Sequence, residues 1–216
     1  TEKTRVIIVQ HGFAISVDAQ EIKDRYAQQG IRIIEDCALS FGAKIHGKAV
    51  GTIGDIAIVS FGSDKVISSV RGGAAITSLP QYAKALASFE QTLPEVSRKK
   101  IIQSLLQPLL FSIGKPLYGL SIGKWLLAFA KQSGMVGRII YEPEMKGLPL
   151  PFYPAKYPNV LAALVLPELV ALPQIHKQRV DAVRRYAERL RAQSQLTLVL
   201  SSDTTLEDAA HIRLLL

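Results

Sequence analysis

The chain has 216 residues, of which 48% are apolar and 20% charged, the balance of a globular protein with a core rather than of a disordered chain. Its net charge of +8 suits an anionic partner, but Arg98-Lys99-Lys100 and Arg184-Arg185 are the only basic clusters; no aromatic residues interleave a basic stripe, which argues against nucleic acid. The single cysteine, Cys37, excludes an internal disulfide and fits a reducing, cytoplasmic compartment.

Thr1-Glu2-Lys3-Thr4-Arg5 runs straight into an apolar stretch, without a signal core or an initiator methionine. Together with the abrupt end at Ile212-Arg213-Leu214-Leu215-Leu216, this reads as an internal piece of a longer protein. Residues 5–10 (RVIIVQ) predict a buried strand, and Ser16 and Asp18 are candidate caps for a helix over 19–29 that Gly30 stops. Residues 32–36 (RIIED) predict a second strand, followed by a loop punctuated by Gly42, Gly47, Gly51 and Gly54. Residues 56–61 (IAIVSF) and 74–77 predict two more strands, the last after Gly72-Gly73. Strands of this apolar-run type, with a helix between the first two, predict a parallel α/β sheet covered on both faces.

The character changes after residue 80. A helix over 80–90 precedes a long apolar and basic stretch over 96–130, and a connector follows with Pro143, Pro149, Pro151, Pro154 and Pro158. Two amphipathic helices are predicted over 160–172 and 174–193, then a strand over 196–200. The predicted organisation is therefore a partial large domain over 1–95, a helical insert with its connector over 96–157, and the start of a small C-terminal domain over 158–216.

The chemistry-bearing block is residues 35–77. Asp36 stands at the carboxyl end of a strand, where open α/β sheets place ligand groups. Ser60 ends the next strand, Lys65 follows on a loop, and Gly72-Gly73 permits a close backbone approach. The elements Glu35-Asp36, Gly54-Asp55, Ser60-Phe61, Lys65 and Gly72-Gly73, at these spacings, resemble the DegT/DnrJ/StrS sugar aminotransferases, within the fold-type-I enzymes that use pyridoxal 5'-phosphate (PLP). The resemblance implies a fold-type-I large domain, a mostly parallel sheet with flanking helices, followed by a helical part. It implies that Asp36 holds the proton on the cofactor's pyridine nitrogen and that Ser60 donates to the cofactor phosphate. Ala38 would pack on the ring, and Lys65 would bond to the cofactor and move the proton during transfer. Asp55, in a Gly-Asp turn, is expected to bond backbone amides. His11 and Cys37 are expected to be structural, and no metal is implied.

The implied activity is transfer of an amino group, with glutamate as donor, to a keto-sugar that is nucleotide-linked, by a homodimer. Several positions depart from the family pattern. Leu39 stands where a Gln or His usually follows the aspartate, and Val70-Arg71-Gly72-Gly73 replaces Gly-Glu-Gly-Gly. Pro154 and Lys156 occupy the places of an Asn-x-Arg pair, and Asn159 is out of register. The family's N-terminal phosphate turn and stacking aromatic have no counterpart here. A non-catalytic binding module of the same fold is the alternative reading. A sugar dehydratase is opposed by Lys65, because that branch carries histidine there. The stretch over 101–130 is too short between charges to span a membrane. Packing of its leucines on a subunit partner or on the missing part of the protein is preferred to peripheral contact with a membrane surface.

Overall fold

The computed structural model describes residues 2–12, 15–137, 141–191 and 205–210. Strand β1 (Val6–Gln10) leads to helix α1 (Ala19–Tyr26) and a single 3₁₀ turn, Ala27–Gln29. Asp18 caps α1 by accepting from the amides of Gln20 (2.8 Å) and Glu21 (3.2 Å), worth about 1 kcal/mol. Ser16, the other candidate cap, is buried with its hydroxyl unpartnered. Gly30 ends the element at φ +67°, a left-handed conformation that a side chain disfavours.

Strand β2 (Arg32–Asp36) has the bounds that its apolar run predicts. The glycine-punctuated loop that follows holds a short hairpin, β3 (Lys44–Ile45) with β4 (Lys48–Ala49), which the sequence did not signal. Strands β5 (Ile56–Ser60) and β6 (Gly73–Ile76) complete a four-stranded sheet of order β1-β2-β5-β6. The first three strands are parallel, but β6 runs antiparallel to β5, against the expectation of a parallel sheet. The connection over 61–72 has no helix to carry a crossover. It folds back on itself instead: the Phe61 amide donates to Gly72, and the Ser69 amide to Phe61.

The register places Ile7, Val9, Ile33, Glu35, Ala57 and Val59 on one face of the sheet and Ile8, Gln10, Asp36, Ile58 and Ser60 on the other. The first face is the core. There Val9 and Ile33 pack with Ala19, Ile45 and Ile53, and Ala57 and Val59 pack with Cys37, Phe61 and Val165. The second face is open, with Ile8 66% and Ile58 43% exposed. The expected cover on both faces is thus found on one among the described residues, although apolar side chains stand on both.

Helix α2 (Pro80–Thr92) follows β6. Helices α3 (Arg98–Gly114) and α4 (Ile122–Gln132) form a hairpin, with Pro116 in the turn between them. The proline-rich connector contains one turn of helix, α5 (Glu142–Met145). The two helices predicted beyond it are one continuous helix, α6 (Asn159–Arg191), with Pro167 and Pro173 inside. Each proline removes a single i→i−4 bond. Leu161, Val165, Leu172 and Ile175 meanwhile pack inward from one stripe on both sides of Pro167 and Pro173. The length and apolar content of α6 would also suit a membrane span. However, Leu161, Val165, Val180 and Val183 are buried in protein, and the Glu168 carboxylate accepts from the Ser68 amide at 2.5 Å. The strand predicted over 196–200 lies outside the described residues.

Candidate active site

The carboxyl ends of β2 and β5 place Asp36 and Ser60 on the same, open face of the sheet. Asp36 pairs with Ile58, and Ser60 lies two residues beyond it. With parallel strands ~4.8 Å apart and ~3.3 Å per residue, their Cα atoms are roughly 8 Å apart. Asp36 is held by its own loop and by β1: Oδ1 accepts from the Ala38 amide at 3.0 Å and Oδ2 from Gln10 Nε2 at 3.1 Å. Ala38, half-buried, therefore enters this geometry through its backbone.

Lys65 sits on the loop after β5, where its amide donates to Gly62 at 3.0 Å. Its side chain is 17% exposed, and its Nζ lies 3.5 Å from Asp64 Oδ2. A cavity of about 330 Å³ is lined by Ser60, Asp64, Lys65 and Arg71 together with Gln107 and Tyr153. The fold thus brings Ser60 and Lys65 together, while Asp36 and Ala38 stand at the neighbouring strand end, outside that cavity wall. Gln107 and Tyr153 carry no motif. The available signals were a polar residue within an apolar stretch and an aromatic among prolines.

Gly72-Gly73 is demanded by close approach. A Cβ on Gly72, at φ +106°, would lie 2.2 Å from the Tyr157 ring, and one on Gly73 2.5 Å from the Val59 carbonyl. Tyr157 packs on Phe61 with ring centroids 5.9 Å apart and hydrogen-bonds Ser69 through its hydroxyl. Burial raises its phenol pKa, an effect the Ser69 bond partly offsets. Beyond Arg71 and Gly72 lies a second cavity of about 270 Å³, which takes in Lys100, Pro154 and Lys156. Lys156 pairs with Glu95 at 3.4 Å, and Asn159 opens α6.

The opposite face of β2 carries a second polar cluster. Glu35 is fully buried and accepts from the amides of Gly51 (2.9 Å), Ile53 (2.8 Å) and Gly54 (2.5 Å). Its fourth contact is His11 Nε2 at 3.1 Å. His11 Nδ1 accepts from the Val17 amide at 3.2 Å, so the ring proton is on Nε2 and donates to Glu35. Burial raises the Glu35 pKa, but His11 and the three amides outweigh it and hold the carboxyl at about 2. Burial, with Glu35 and Asp36 nearby, pushes the Cys37 thiol up to about 12. His11, Glu35 and Cys37 each have one potential metal ligand atom within 4.8 Å of the others. Yet both nitrogens of His11 and both oxygens of Glu35 are already engaged and the thiol keeps its proton, so the cluster acts as a structural node. Asp55 likewise holds a backbone amide, that of Ile33, at 2.8 Å.

Residues 1–105 match the profile of the DegT/DnrJ/EryC1/StrS aminotransferase family. The L-glutamine:2-deoxy-scyllo-inosose aminotransferase of Streptomyces kanamyceticus is 40% identical over 86 residues, 40% of this chain and 20% of that protein. The GDP-perosamine synthase of Vibrio cholerae is 35% identical over 77 residues, 36% of this chain and 21% of that enzyme. The match therefore spans about a fifth of the length of these curated relatives. In backbone, the E. coli GDP-4-keto-6-deoxy-D-mannose-3-dehydratase with bound hydrated PLP superposes with a TM-score of 0.60 at 15% identity. That superposition covers 95% of this chain and 46% of the dehydratase, and it shows a shared fold, that of the fold-type-I PLP enzymes. Sequence thus relates residues 1–105, just under half of the chain, to the DegT/DnrJ/EryC1/StrS aminotransferase family, while the backbone likeness shows the fold alone.

Proposed function

We propose that this chain contributes a PLP site for transfer of an amino group to a keto-sugar. The observation that carries this reading is the placement of Asp36 and Ser60 on one open sheet face, with Lys65 in the cavity at Ser60. Bound PLP supplies an electron-withdrawing ring that makes the substrate carbon acidic.

The chain's own residues would do the rest. Asp36, fixed by the Ala38 amide and Gln10, presents a carboxylate that keeps a proton on the ring nitrogen. Ser60 offers a hydroxyl to the phosphate, and Ala38 leaves room for the ring. Lys65, shielded in its cavity, bonds to the cofactor and then moves a proton at the substrate carbon. Arg71, between the two cavities, gives an anionic substrate a charged contact. The sequence relatives named above support a sugar or cyclitol ketone as acceptor. Glutamate as donor, a nucleotide on the sugar and a homodimer belong to the same proposal.

A purified chain mixed with PLP should develop an absorbance band shifted from that of free cofactor, and borohydride should fix the cofactor to Lys65 as read by peptide mass. Lys65→Ala should show neither. Glutamate added before borohydride should discharge the band. A second reading, a non-catalytic module of the same fold, is favoured by the open sheet face. Absence of any band in a folded wild-type chain would select it.

A further inference from the structure

The α3–α4 hairpin is built inside out. Its most buried residues are Ser104, Gln107 and Gly114 on α3 and Gly123 and Ala130 on α4. Its largest apolar side chains face outward: Trp125 is 77% exposed, Leu120 70% and Phe129 64%, and Ile113, Tyr118 and Ile122 are also exposed. The glycines let the two helices approach closely. A Cβ on Gly123 would lie 2.0 Å from the Gly114 carbonyl, and one on Gly114 would lie 2.7 Å from Leu127 Cγ. Close approach through small residues joins helices whose outer surface is apolar.

Charge says what this surface meets. Between Glu95 and Glu142 the sequence contains no acidic residue, while the two helices and their turn carry Arg98, Lys99, Lys100, Lys115, Lys124 and Lys131. Two lysines stand at the aromatic tip itself, Lys115 5.7 Å from the Phe111 ring centroid and Lys124 5.3 Å from that of Tyr118. Protein–protein interfaces deplete lysine. Exposed Trp, Phe and Leu flanked by Lys and Arg are instead the composition of elements that lie in a bilayer interface, with long cationic side chains reaching the headgroups. With α4 only 11 residues long and basic residues at both ends of the hairpin, the segment suits a surface position and is too short to span a bilayer.

We propose that the tip of the α3–α4 hairpin, from Phe111 to Phe129, docks this protein on a membrane surface bearing anionic headgroups. The proposal is independent of the cofactor site.

Trp125 is the only tryptophan in the chain, so its emission reports on the tip alone. The whole chain should co-float with vesicles of phosphatidylcholine mixed with phosphatidylglycerol, and its emission should shift to the blue. Phosphatidylcholine alone should give little of either, and high salt should weaken both. Leu120→Ser with Phe129→Ser should lower vesicle binding about tenfold or more, and Lys115→Glu with Lys124→Glu should abolish the preference for anionic lipid, all with unchanged circular dichroism. Wild-type protein left at the bottom of the gradient would overturn the proposal. So would flotation that ignores these variants, or a blue shift that grows with protein concentration without lipid, which would mark the tip as a contact between copies.

Discussion

The two sides of strand β2 and the α3–α4 hairpin treat polarity in opposite ways. On the covered face of the sheet, burial follows hydrophobicity, and the buried ionisable side chains there, Glu35, His11 and Asp55, meet hydrogen-bond partners. In the hairpin, serine, glutamine and glycine turn inward while tryptophan, phenylalanine and isoleucine turn out. A buried carboxylate with four partners is stable in a water-excluding core because each lost water contact is replaced. An exposed apolar tip gains nothing from water and is matched to a different surrounding. Stability in the first region thus rests on particular polar atoms, and in the second on close backbone contact, with the large side chains left free for binding.

The test with the largest expected effect removes the polar anchor of the sheet. Glu35→Ala leaves three amides and the His11 Nε2–H without their acceptor and should destabilise the chain by about 3–5 kcal/mol, read as a lower urea midpoint. Acid probes the same group more gently. The Glu35 carboxyl is held at about 2 against an ordinary 4.5, so the unfolded chain takes up this proton first. The contribution is complete above about 4.5 and drains away as pH falls toward 2, a loss of about 3 kcal/mol. Urea titrations across that window should show the slope in wild type and its absence in Glu35→Gln. A wild-type curve as flat as that of the variant would mean that Glu35 is not the anchor of this region.

Much of the sheet region was legible because its signals are local. The apolar run over 32–36 fixes β2 to the residue, and the spacing from Asp36 to Ser60 and Lys65 survives as two strand ends and a loop. What was not legible depends on distant chain. The saturation of Glu35 comes from a loop that the glycines hinted at without showing where its amides point. The direction of β6 and the single covered face depend on how the chain returns after Phe61 and on what packs where. Gln107 and Tyr153 reach the Lys65 cavity from the hairpin and the connector, far along the sequence. Pro173 looked like a helix boundary, but packing on both sides of it keeps α6 whole. In the hairpin, periodicity predicts a stripe but not its side, so the outward turn of the apolar residues needed the structure.

A smaller effect is expected where the hairpin closes. Gly123→Ala pushes a methyl group into the Gly114 carbonyl and the Leu117–Tyr118 backbone. The overpacking should cost about 1–3 kcal/mol, larger than the gain of up to about 1 kcal/mol in helix propensity. Hydrogen exchange should quicken in α3 and α4 while β2 and β5 keep their protection. If β2 loosened equally, the two regions would be one cooperative unit, and the contrast between them would not extend to their energetics.

The sharpest comparison rests on the smallest change. Trp125 is the chain's one tryptophan, and in a core its truncation would cost several kcal/mol. At 77% exposure it has little burial to lose, so Trp125→Ser should move stability by no more than about 0.5 kcal/mol in either direction. Ile33→Ala, at 1% exposure in the sheet core, should cost about 2–5 kcal/mol. Parallel urea curves of the two variants measure the difference directly. A Trp125→Ser penalty approaching that of Ile33→Ala would mean that the tip is packed in solution, so that its apolar side chains hold the protein together rather than wait for a surface.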